Sequence, residues 1–147
     1  KMPVVEQLGE ALAGKVRDLG ITTVVAPAMG GLVIGQEVAR QLGVRFIFVE
    51  KENDALVSRR GFQIDSREKI LIVEDVVTRG GRADETIQIV REYGGDLQAL
   101  AVLVDRSSGG YDPGVPFISL LEMQVETFAP DDLPEDLQSL KPVKPGS

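Results

Sequence analysis

Two adjacent carboxylates, Glu74 and Asp75, follow an apolar run and are themselves followed within one turn by residues 78–82 (TRGGR). Neighbouring glycines let backbone N–H groups point at one anion, and the start of a helix adds its dipole, so this turn suits a phosphate group. Arg79 and Arg82 can add positive charge. The two carboxylates instead suit ribose hydroxyls, or a magnesium ion held through water. The spacing therefore predicts a ribose-phosphate site; acidic helix caps beside a tight glycine turn are the alternative that spacing alone leaves open.

Two more polar turns follow predicted strands and are candidates for the same site. Residues 27–31 (PAMGG) come after the first strand, and residues 105–109 (DRSSG), which include Arg106, come after a later one. Ligands of open parallel sheets bind beyond the carboxyl ends of the strands. The three turns are therefore expected to converge at one edge of a sheet.

The composition limits the chemistry available to such a site. The 147 residues include no Cys and no His, which excludes disulfides, thiolate zinc sites, cysteine nucleophiles and histidine acid–base schemes. The net charge of -7 disfavours nucleic acids and anionic membranes as partners, because both reward clustered Lys and Arg. No apolar run approaches the roughly 20 residues needed to cross a bilayer, and no signal peptide is recognised, so a soluble cytoplasmic protein is expected.

Hydrophobic periodicity predicts alternating helices and strands that would position these turns. The predicted helices cover 5–19 and 30–43, with a third that follows the turn at 74–82 and ends at Gly94. The predicted strands cover 21–26, 45–50, 69–73 and 97–104, with two further candidates at 116–121 and 124–128. This order predicts an α/β fold of three layers, in which a mostly parallel central sheet with right-handed crossovers carries helices on both faces.

Two segments break this alternation. Residues 51–68 are interpreted as a mobile β-hairpin. Four of the eight prolines fall between Pro130 and Pro145, so residues 129–147 are expected to form an extended tail packed on a single domain of residues 1–128.

The run of residues 70–82 (ILIVEDVVTRGGR) resembles the phosphoribosyl-pyrophosphate signature of the type I phosphoribosyltransferases. Both have an apolar strand, two acids, two apolar residues, a Thr and a Gly-containing loop. Other stretches are similar to the orotate-using members of that family: residues 26–31 (APAMGG), 37–43 (EVARQLG), 46–51 (FIFVEK), 59–62 (RRGF) and 141–147 (KPVKPGS). The resemblance runs from about the first helix to the C-terminus, and it implies the fold and the transferase activity of that family.

The resemblance also implies roles for individual residues. Glu74 and Asp75 match acids that hold the ribose hydroxyls, and Arg106 matches an arginine that binds orotate, whose carboxylate suits a planar guanidinium. Lys51 matches a basic residue that reaches phosphoribosyl pyrophosphate, often across a dimer interface, and with Asp75 it is the expected catalytic group. The residues implied for the donor are Lys51, Ala28, Met29, Gly30, Glu74, Asp75, Val76, Val77, Thr78, Arg79, Gly80, Gly81 and Arg82, and those for orotate are Thr78 and Arg106.

The implied reaction transfers the 5-phosphoribosyl group of phosphoribosyl pyrophosphate to orotate, with a homodimer and with Mg²⁺ held mainly by the substrate and not by a metal site of the protein. Closure of the hairpin would exclude water from the donor. The chain departs from the family pattern at Arg82, where the phosphate loop often ends in Ser or Thr, and in having no loop His. The family's N-terminal hood has no counterpart before Lys1, so a core without its hood is expected.

Three alternatives stay open at this point. An enzyme of the same superfamily that uses another nucleobase would retain Glu74, Asp75 and Thr78 but would not require Arg106. A non-catalytic module would bind phosphoribosyl pyrophosphate without turnover, and a flavodoxin-like domain would bind an unrelated ligand. Arg106 can also be interpreted as the partner of Asp105 or of a surface acid, and the hairpin arginines Arg59 and Arg60 as solvated residues.

Overall fold

The computed structural model of the chain describes residues 2–52, 55–58, 63–126, 128–129, 131–141 and 143, with the backbone alone for 51, 52 and 55–58. The helices are α1 (Met2–Val16, continued by a 3-10 turn over Arg17–Leu19), α2 (Gly30–Leu42) and α3 (Gly81–Glu92). The strands are β1 (Thr23–Pro27), β2 (Arg45–Glu52), β3 (Ala55–Ser58), β4 (Lys69–Val77), β5 (Asp96–Asp105) and β6 (Phe117–Glu122).

The strands form one six-stranded sheet in the order β3-β2-β1-β4-β5-β6. Neighbouring strands are parallel except β2 and β3, which are antiparallel and form a hairpin. This hairpin begins earlier than the one predicted over residues 51–68, because its first strand starts at Arg45, and residues 63–68 form no strand. The chain proceeds outward from β1 on one side and from β4 on the other, so the strand order reverses between these two. This confirms the predicted α/β class, and a sheet of this kind holds its ligand crevice at the point of reversal.

Alternating side chains of the central strand contribute to two separate hydrophobic clusters. On β4, Ile70 and Ile72 belong to the cluster that includes α3, whereas Leu71 and Val73 belong to the cluster that includes α1 and α2. A strand covered on both faces has no polar side, which explains its continuous apolar run. The helices therefore lie on both faces of the sheet, as the three-layer prediction requires.

Strand β4 is longer than its apolar run predicts. That run indicates a strand ending at Val73, but the structure continues the strand to Val77. The added residues are held by β5, with Glu74 paired to Val102, whereas the pairing of β1 with β4 stops at Ile72. The acid pair therefore lies within the strand, on a part that is paired with β5 but not with β1, and not in the turn that follows it.

One of the two strand candidates after β5 is confirmed, as β6. The other, residues 124–128, is wrong over its described part, because residues 124–126 and 128 form no strand. The N–H of Met123 donates to the carbonyl oxygen of Asp105 at 2.8 Å, and β5 ends at that residue, so a longer β6 would have no neighbour. Residues 131–141 contain no helix or strand, and their division from the domain as a tail stays a prediction.

Candidate active site

The carboxyl ends of β1 and β4 lie side by side where the strand order reverses. The loop after β1 packs directly on the acid pair: a Cβ added to Gly30 would lie 2.6 Å from Asp75 Oδ2. A Cβ added to Gly31 would lie 2.8 Å from the carbonyl oxygen of Val73. Because only glycine permits such approaches, these two glycines bring the first turn of α2 against the end of β4.

The acid pair consists of a buried and a half-buried carboxyl group. Glu74 is 3% exposed, and Asp75 is more accessible. The N–H of Asp75 donates to Glu74 Oε1 at 3.0 Å, and the N–H of Val76 donates to Asp75 Oδ1 at 2.8 Å. Burial raises the pKa of Glu74 to about 8; the Asp75 carboxyl adds to the rise, and the charge of Arg82 opposes it. Partly desolvated acids with unused lone pairs suit hydroxyl donors better than they suit a phosphate.

A small hollow lies at the start of α3. Gly80 has a left-handed backbone (φ 83°), and α3 begins at Gly81 without a side-chain cap. The first N–H groups of a helix have no intrahelical acceptor and are therefore suited to an anion. The hollow measures about 70 Å³, several times the volume that one water molecule requires. Its lining residues are Glu74, Val76, Val77, Thr78, Gly80, Gly81, Arg82 and Ala83.

Positive charge is available beside this hollow. Arg79 lies in the turn and Arg82 in the first turn of α3, and both side chains are exposed. Arg82 lines the hollow and also lies close enough to Glu74 to lower its pKa. The departure from the family pattern at position 82 therefore puts a guanidinium where a hydroxyl is more usual.

The loop after β1 forms the other wall of the crevice. The N–H of Ala28 donates to the carbonyl oxygen of Val49 at 2.7 Å, which ties the loop to β2, and the peptide bond between Ala28 and Met29 is cis. Met29 is exposed, and α2 starts at Gly30 without a side-chain cap. A second set of helix N–H groups therefore lies next to the acid pair.

Arg106 is exposed at the end of β5. Its N–H donates to the carbonyl oxygen of Val77 at 2.8 Å, which fixes its backbone beside the end of β4. The carboxylate of Asp105 accepts from the N–H of Ser107 at 2.7 Å. Among the described residues, the ion pairs do not include Arg106, so the structure does not support the alternative that pairs it with Asp105.

The basic residues expected from the hairpin are only partly placed. Lys51 lies in β2, where its backbone is paired with Leu56 of β3, but its side chain lies outside the described residues. Arg59 and Arg60 also lie outside them. The contribution of the hairpin to the site therefore stays a prediction.

Tyr111 contacts the site and was not singled out in the sequence. Its ring packs on Gly80, where any Cβ would overlap it, and its hydroxyl donates to Asp84 Oδ1 at 2.8 Å. The signal in the sequence is an isolated aromatic residue within the small and polar loop of residues 107–114 (SSGGYDPG). Nothing in that loop alone indicates which element the ring would contact.

The fold and the site match one known family. A family model described as the phosphoribosyl transferase domain matches residues 1–134 of the chain. The chain belongs to the phosphoribosyltransferase family. The resemblance carried by residues 70–82 is therefore confirmed, whereas the roles assigned to the residues of the crevice stay predictions.

Curated relatives agree with the narrower resemblance. The chain is 46% identical over 142 residues to an orotate phosphoribosyltransferase of Desulforamulus reducens, an alignment that covers 97% of this chain and 74% of that protein. It is 48% identical over 144 residues to an orotate phosphoribosyltransferase of Novosphingobium aromaticivorans, covering 96% of this chain and 74% of that protein.

Solved phosphoribosyltransferases share the fold. An adenine phosphoribosyltransferase from Thermoanaerobacter pseudethanolicus matches with a TM-score of 0.69 at 21% identity, covering 80% of this chain and 79% of the other. The orotate phosphoribosyltransferase of Mycobacterium tuberculosis, in complex with inorganic phosphate, matches with a TM-score of 0.66 at 17% identity, covering 83% and 73%. At such identities the likeness establishes the α/β fold of this phosphoribosyltransferase and leaves the base to be argued from the site.

Proposed function

We propose that this phosphoribosyltransferase transfers the 5-phosphoribosyl group from phosphoribosyl pyrophosphate to orotate, forming orotidine 5′-monophosphate and pyrophosphate. The proposal depends on one observation: the acid pair at the end of β4, the uncapped start of α3 and the loop after β1 meet at a single crevice. Identity of 46% to a relative named as an orotate phosphoribosyltransferase supports the choice of base. The activity is that of a pentosyltransferase of pyrimidine nucleotide synthesis.

The donor is assigned to the crevice between β1 and β4. Glu74 and Asp75 accept hydrogen bonds from the ribose hydroxyls, residues 78–82 surround the 5′-phosphate, and residues 28–30 bind the pyrophosphate. The close approach of Gly30 to Asp75 supports this arrangement, because the pyrophosphate is bonded to the ribose and must lie next to it.

Orotate is assigned to the space beyond the ends of β4 and β5. Arg106 provides a planar guanidinium, which can pair with a carboxylate through two parallel hydrogen bonds. The N–H of Arg106 donates to the carbonyl oxygen of Val77. Arg106 is therefore held beside the residue that precedes Thr78, which is the second proposed contact of the base. The acceptor would therefore lie beside the ribose it attacks.

The reaction breaks the bond between ribose C1 and pyrophosphate oxygen and forms a bond from C1 to a ring nitrogen of orotate. The electron pair of the nitrogen, which orotate supplies as an anion, forms the new bond, and the pair of the broken bond leaves with pyrophosphate. Positive charge develops on the ribose, so positioning and charge stabilisation contribute more than proton transfer. Asp75 next to the ribose and Lys51 on the hairpin are the proposed catalytic groups, which is consistent with a chain that contains no His.

Magnesium is the implied cofactor, and the oxygen donors at the crevice fit a shared site. The described residues contain no group of three or more Asp, Glu, His or Cys side chains able to hold a metal ion. Asp75, the more accessible acid, suits Mg²⁺ through water, with substrate oxygens as the main ligands. When bound, the ion neutralises charge on the pyrophosphate.

A homodimer and a cytoplasmic location complete the proposal. In the described part of the chain, none of the helices has the length and apolar character needed to span a bilayer. Sedimentation of the purified chain tests the dimer directly.

The test of function is pyrophosphate release from phosphoribosyl pyrophosphate and Mg²⁺ with orotate, uracil or adenine as the acceptor. Release that depends on orotate and yields orotidine 5′-monophosphate supports the proposal. Release with another base alone assigns a different specificity, and saturable donor binding without release assigns a binding module. Asp75→Asn should weaken donor binding, whereas Asp18→Asn, at an exposed residue of the 3-10 turn, should not.

A further inference from the structure

The loop between β5 and β6 carries Arg106 at its start and Tyr111 near its middle. Tyr111 reaches across to the start of α3, where its ring lies so close to Gly80 that an added Cβ would lie 2.7 Å from Cζ. The left-handed φ of 83° at Gly80 also favours glycine. The ring therefore occupies the space that a side chain at position 80 would need.

Hydrogen bonding and ring packing fix Tyr111 from its other sides. Its hydroxyl donates to Asp84 Oδ1 at 2.8 Å, and its ring meets Phe117 edge to face, with centroids 5.6 Å apart. The N–H of Asp84 donates in turn to the carbonyl oxygen of Gly80 at 2.8 Å. Burial and the Asp84 carboxylate raise the pKa of Tyr111, so the hydroxyl stays a donor at physiological pH. Tyr111, Gly80 and Asp84 thus form a closed set of contacts.

We propose that Tyr111 is a positioning residue that holds the phosphate loop, residues 78–82, in register with Arg106. The inference rests on the proposed function, which assigns the phosphate loop to the 5′-phosphate and Arg106 to orotate. One end of the loop from β5 to β6 is tied to β4 through the N–H of Arg106, and its middle is tied to α3 through Tyr111. The ring therefore sets the separation between the phosphate subsite and the base subsite.

A positioning role for Tyr111 can be distinguished from a packing role by which ligands lose affinity when the residue is substituted. Loss of a packing contact would lower the stability of the domain without distinguishing one part of the donor from another. Tyr111 instead contacts the loop assigned to the 5′-phosphate, whereas the loop assigned to pyrophosphate packs on Asp75. Substitution of Tyr111 should therefore weaken ligands that carry a 5′-phosphate and spare pyrophosphate.

The experiment compares Tyr111→Phe and Tyr111→Leu with Tyr93→Phe. Tyr93 is the other tyrosine of the chain and is exposed at the end of α3. Calorimetric titration with Mg²⁺ gives dissociation constants for ribose 5-phosphate and for pyrophosphate, and steady-state kinetics give KM and kcat. Removing the hydroxyl alone should weaken ribose 5-phosphate about three- to tenfold. Removing the ring should lower kcat/KM for the donor about a hundredfold through misplacement of the loop, with pyrophosphate affinity and the Tyr93→Phe protein unchanged.

Thermal unfolding of each variant separates stability from binding, and Tyr111→Phe decides the question if Tyr111→Leu does not fold. A double variant with Asp84→Ala should show no further loss of ribose 5-phosphate affinity over Tyr111→Phe, because both remove the same hydrogen bond. Equal weakening of both ligands, or no weakening of either, overturns the proposal while leaving the proposed function intact. The absence of orotate turnover by the wild-type protein overturns the proposed function, and the absence of ribose 5-phosphate binding overturns both.

Discussion

Glu74 is a carboxyl group whose charged form is disfavoured by its surroundings in the folded protein. It is buried next to a second acid, and its pKa rises from the ordinary 4.5 to about 8. A native pKa above the unfolded value means that the folded state binds the proton more tightly. The contribution of Glu74 to the free energy of unfolding is then fully present below the pKa that this residue has in the unfolded chain. It is lost as the pH rises through the pKa of the folded protein. Because Glu74 lowers the stability of the folded protein at neutral pH, its presence at this buried position is better explained by ligand binding than by packing.

Glu74→Gln should therefore stabilise the ligand-free protein at pH 8 to 9 and have little effect near pH 4.5, because Gln keeps the hydrogen-bond acceptor and removes the titration. The span between the two pKa values sets an upper limit of about 5 kcal/mol. Urea unfolding measured from pH 4.5 to 9 checks this. The exposed Glu10→Gln on α1 serves as the control, and a variant with the same pH dependence as wild type would contradict the raised pKa.

Arg106 tests recognition of the base at a single side chain. Arg106→Lys retains the charge but loses the planar fork, so KM for orotate should rise roughly tenfold or more. Donor affinity, measured by calorimetry, should stay at its wild-type value. Arg17→Lys, on the exposed 3-10 turn, is the matched control. A comparable loss of donor affinity in Arg106→Lys would place this arginine at the donor instead.

At the scale of elements, two glycines with left-handed backbones allow the cost of the backbone conformation to be measured apart from the cost of a side-chain clash. Gly43 ends α2 at φ 68° with open space around it, whereas Gly80 precedes α3 at φ 83° against Tyr111. Gly43→Ala should cost about 1–2 kcal/mol of unfolding free energy, for the backbone alone. Gly80→Ala should cost about 1–3 kcal/mol more, because the ring must also move. Equal losses in urea unfolding would mean that the ring is displaced freely.

The junction of α2 with β4 makes a second comparison possible. Gly30→Ala would place a methyl group 2.6 Å from the Asp75 carboxylate, so donor affinity should fall at least about tenfold as the acid is displaced. Gly14→Ala, on α1 with open space around it, should instead add about 1 kcal/mol of stability, because alanine favours a helix. Calorimetry with the donor and urea unfolding measure the two effects, and unchanged donor binding by Gly30→Ala would separate this glycine from the site.

Across the whole molecule, hydrophobic patterns within single elements predicted the helices, and the order of the elements predicted the parallel sheet. The three polar turns expected at one edge of that sheet do meet there, while the roles of their residues stay predictions. The strand ending predicted at Val73 was wrong because the residues beyond it are held by pairing with β5, which hydrophobicity does not record. The strand predicted over 124–128 was wrong in its described residues for the converse reason, since β5 ends at Asp105 and has no residues left to pair there. Tyr111 was missed because its importance depends on a glycine 31 positions earlier in the sequence.

The same pairing pattern predicts how stability is distributed. Residues 70–72 of β4 are buried and bonded to a strand on each side, whereas β6 lies at the edge of the sheet with partly exposed side chains. Amide hydrogen exchange should be slowest in the centre of β4 and faster in β6, because edge strands open without global unfolding. Native-state exchange followed by mass spectrometry measures this order, and equal protection would indicate that the sheet opens only as a unit.

Because β4 continues past its pairing with β1, it leaves a space beside its last residues that a substrate can occupy. Past Ile72, one edge of β4 has no pairing with β1, and the N–H groups of Asp75 and Val76 donate to the carboxylates of the acid pair. An unpaired strand edge ordinarily invites association with another chain. Here the first turn of α2 stands beside that edge, so a ribose bound there would act as the missing neighbour of β4. Past Ile72, β4 would thus have β5 as its neighbour on one side and the bound substrate as its neighbour on the other.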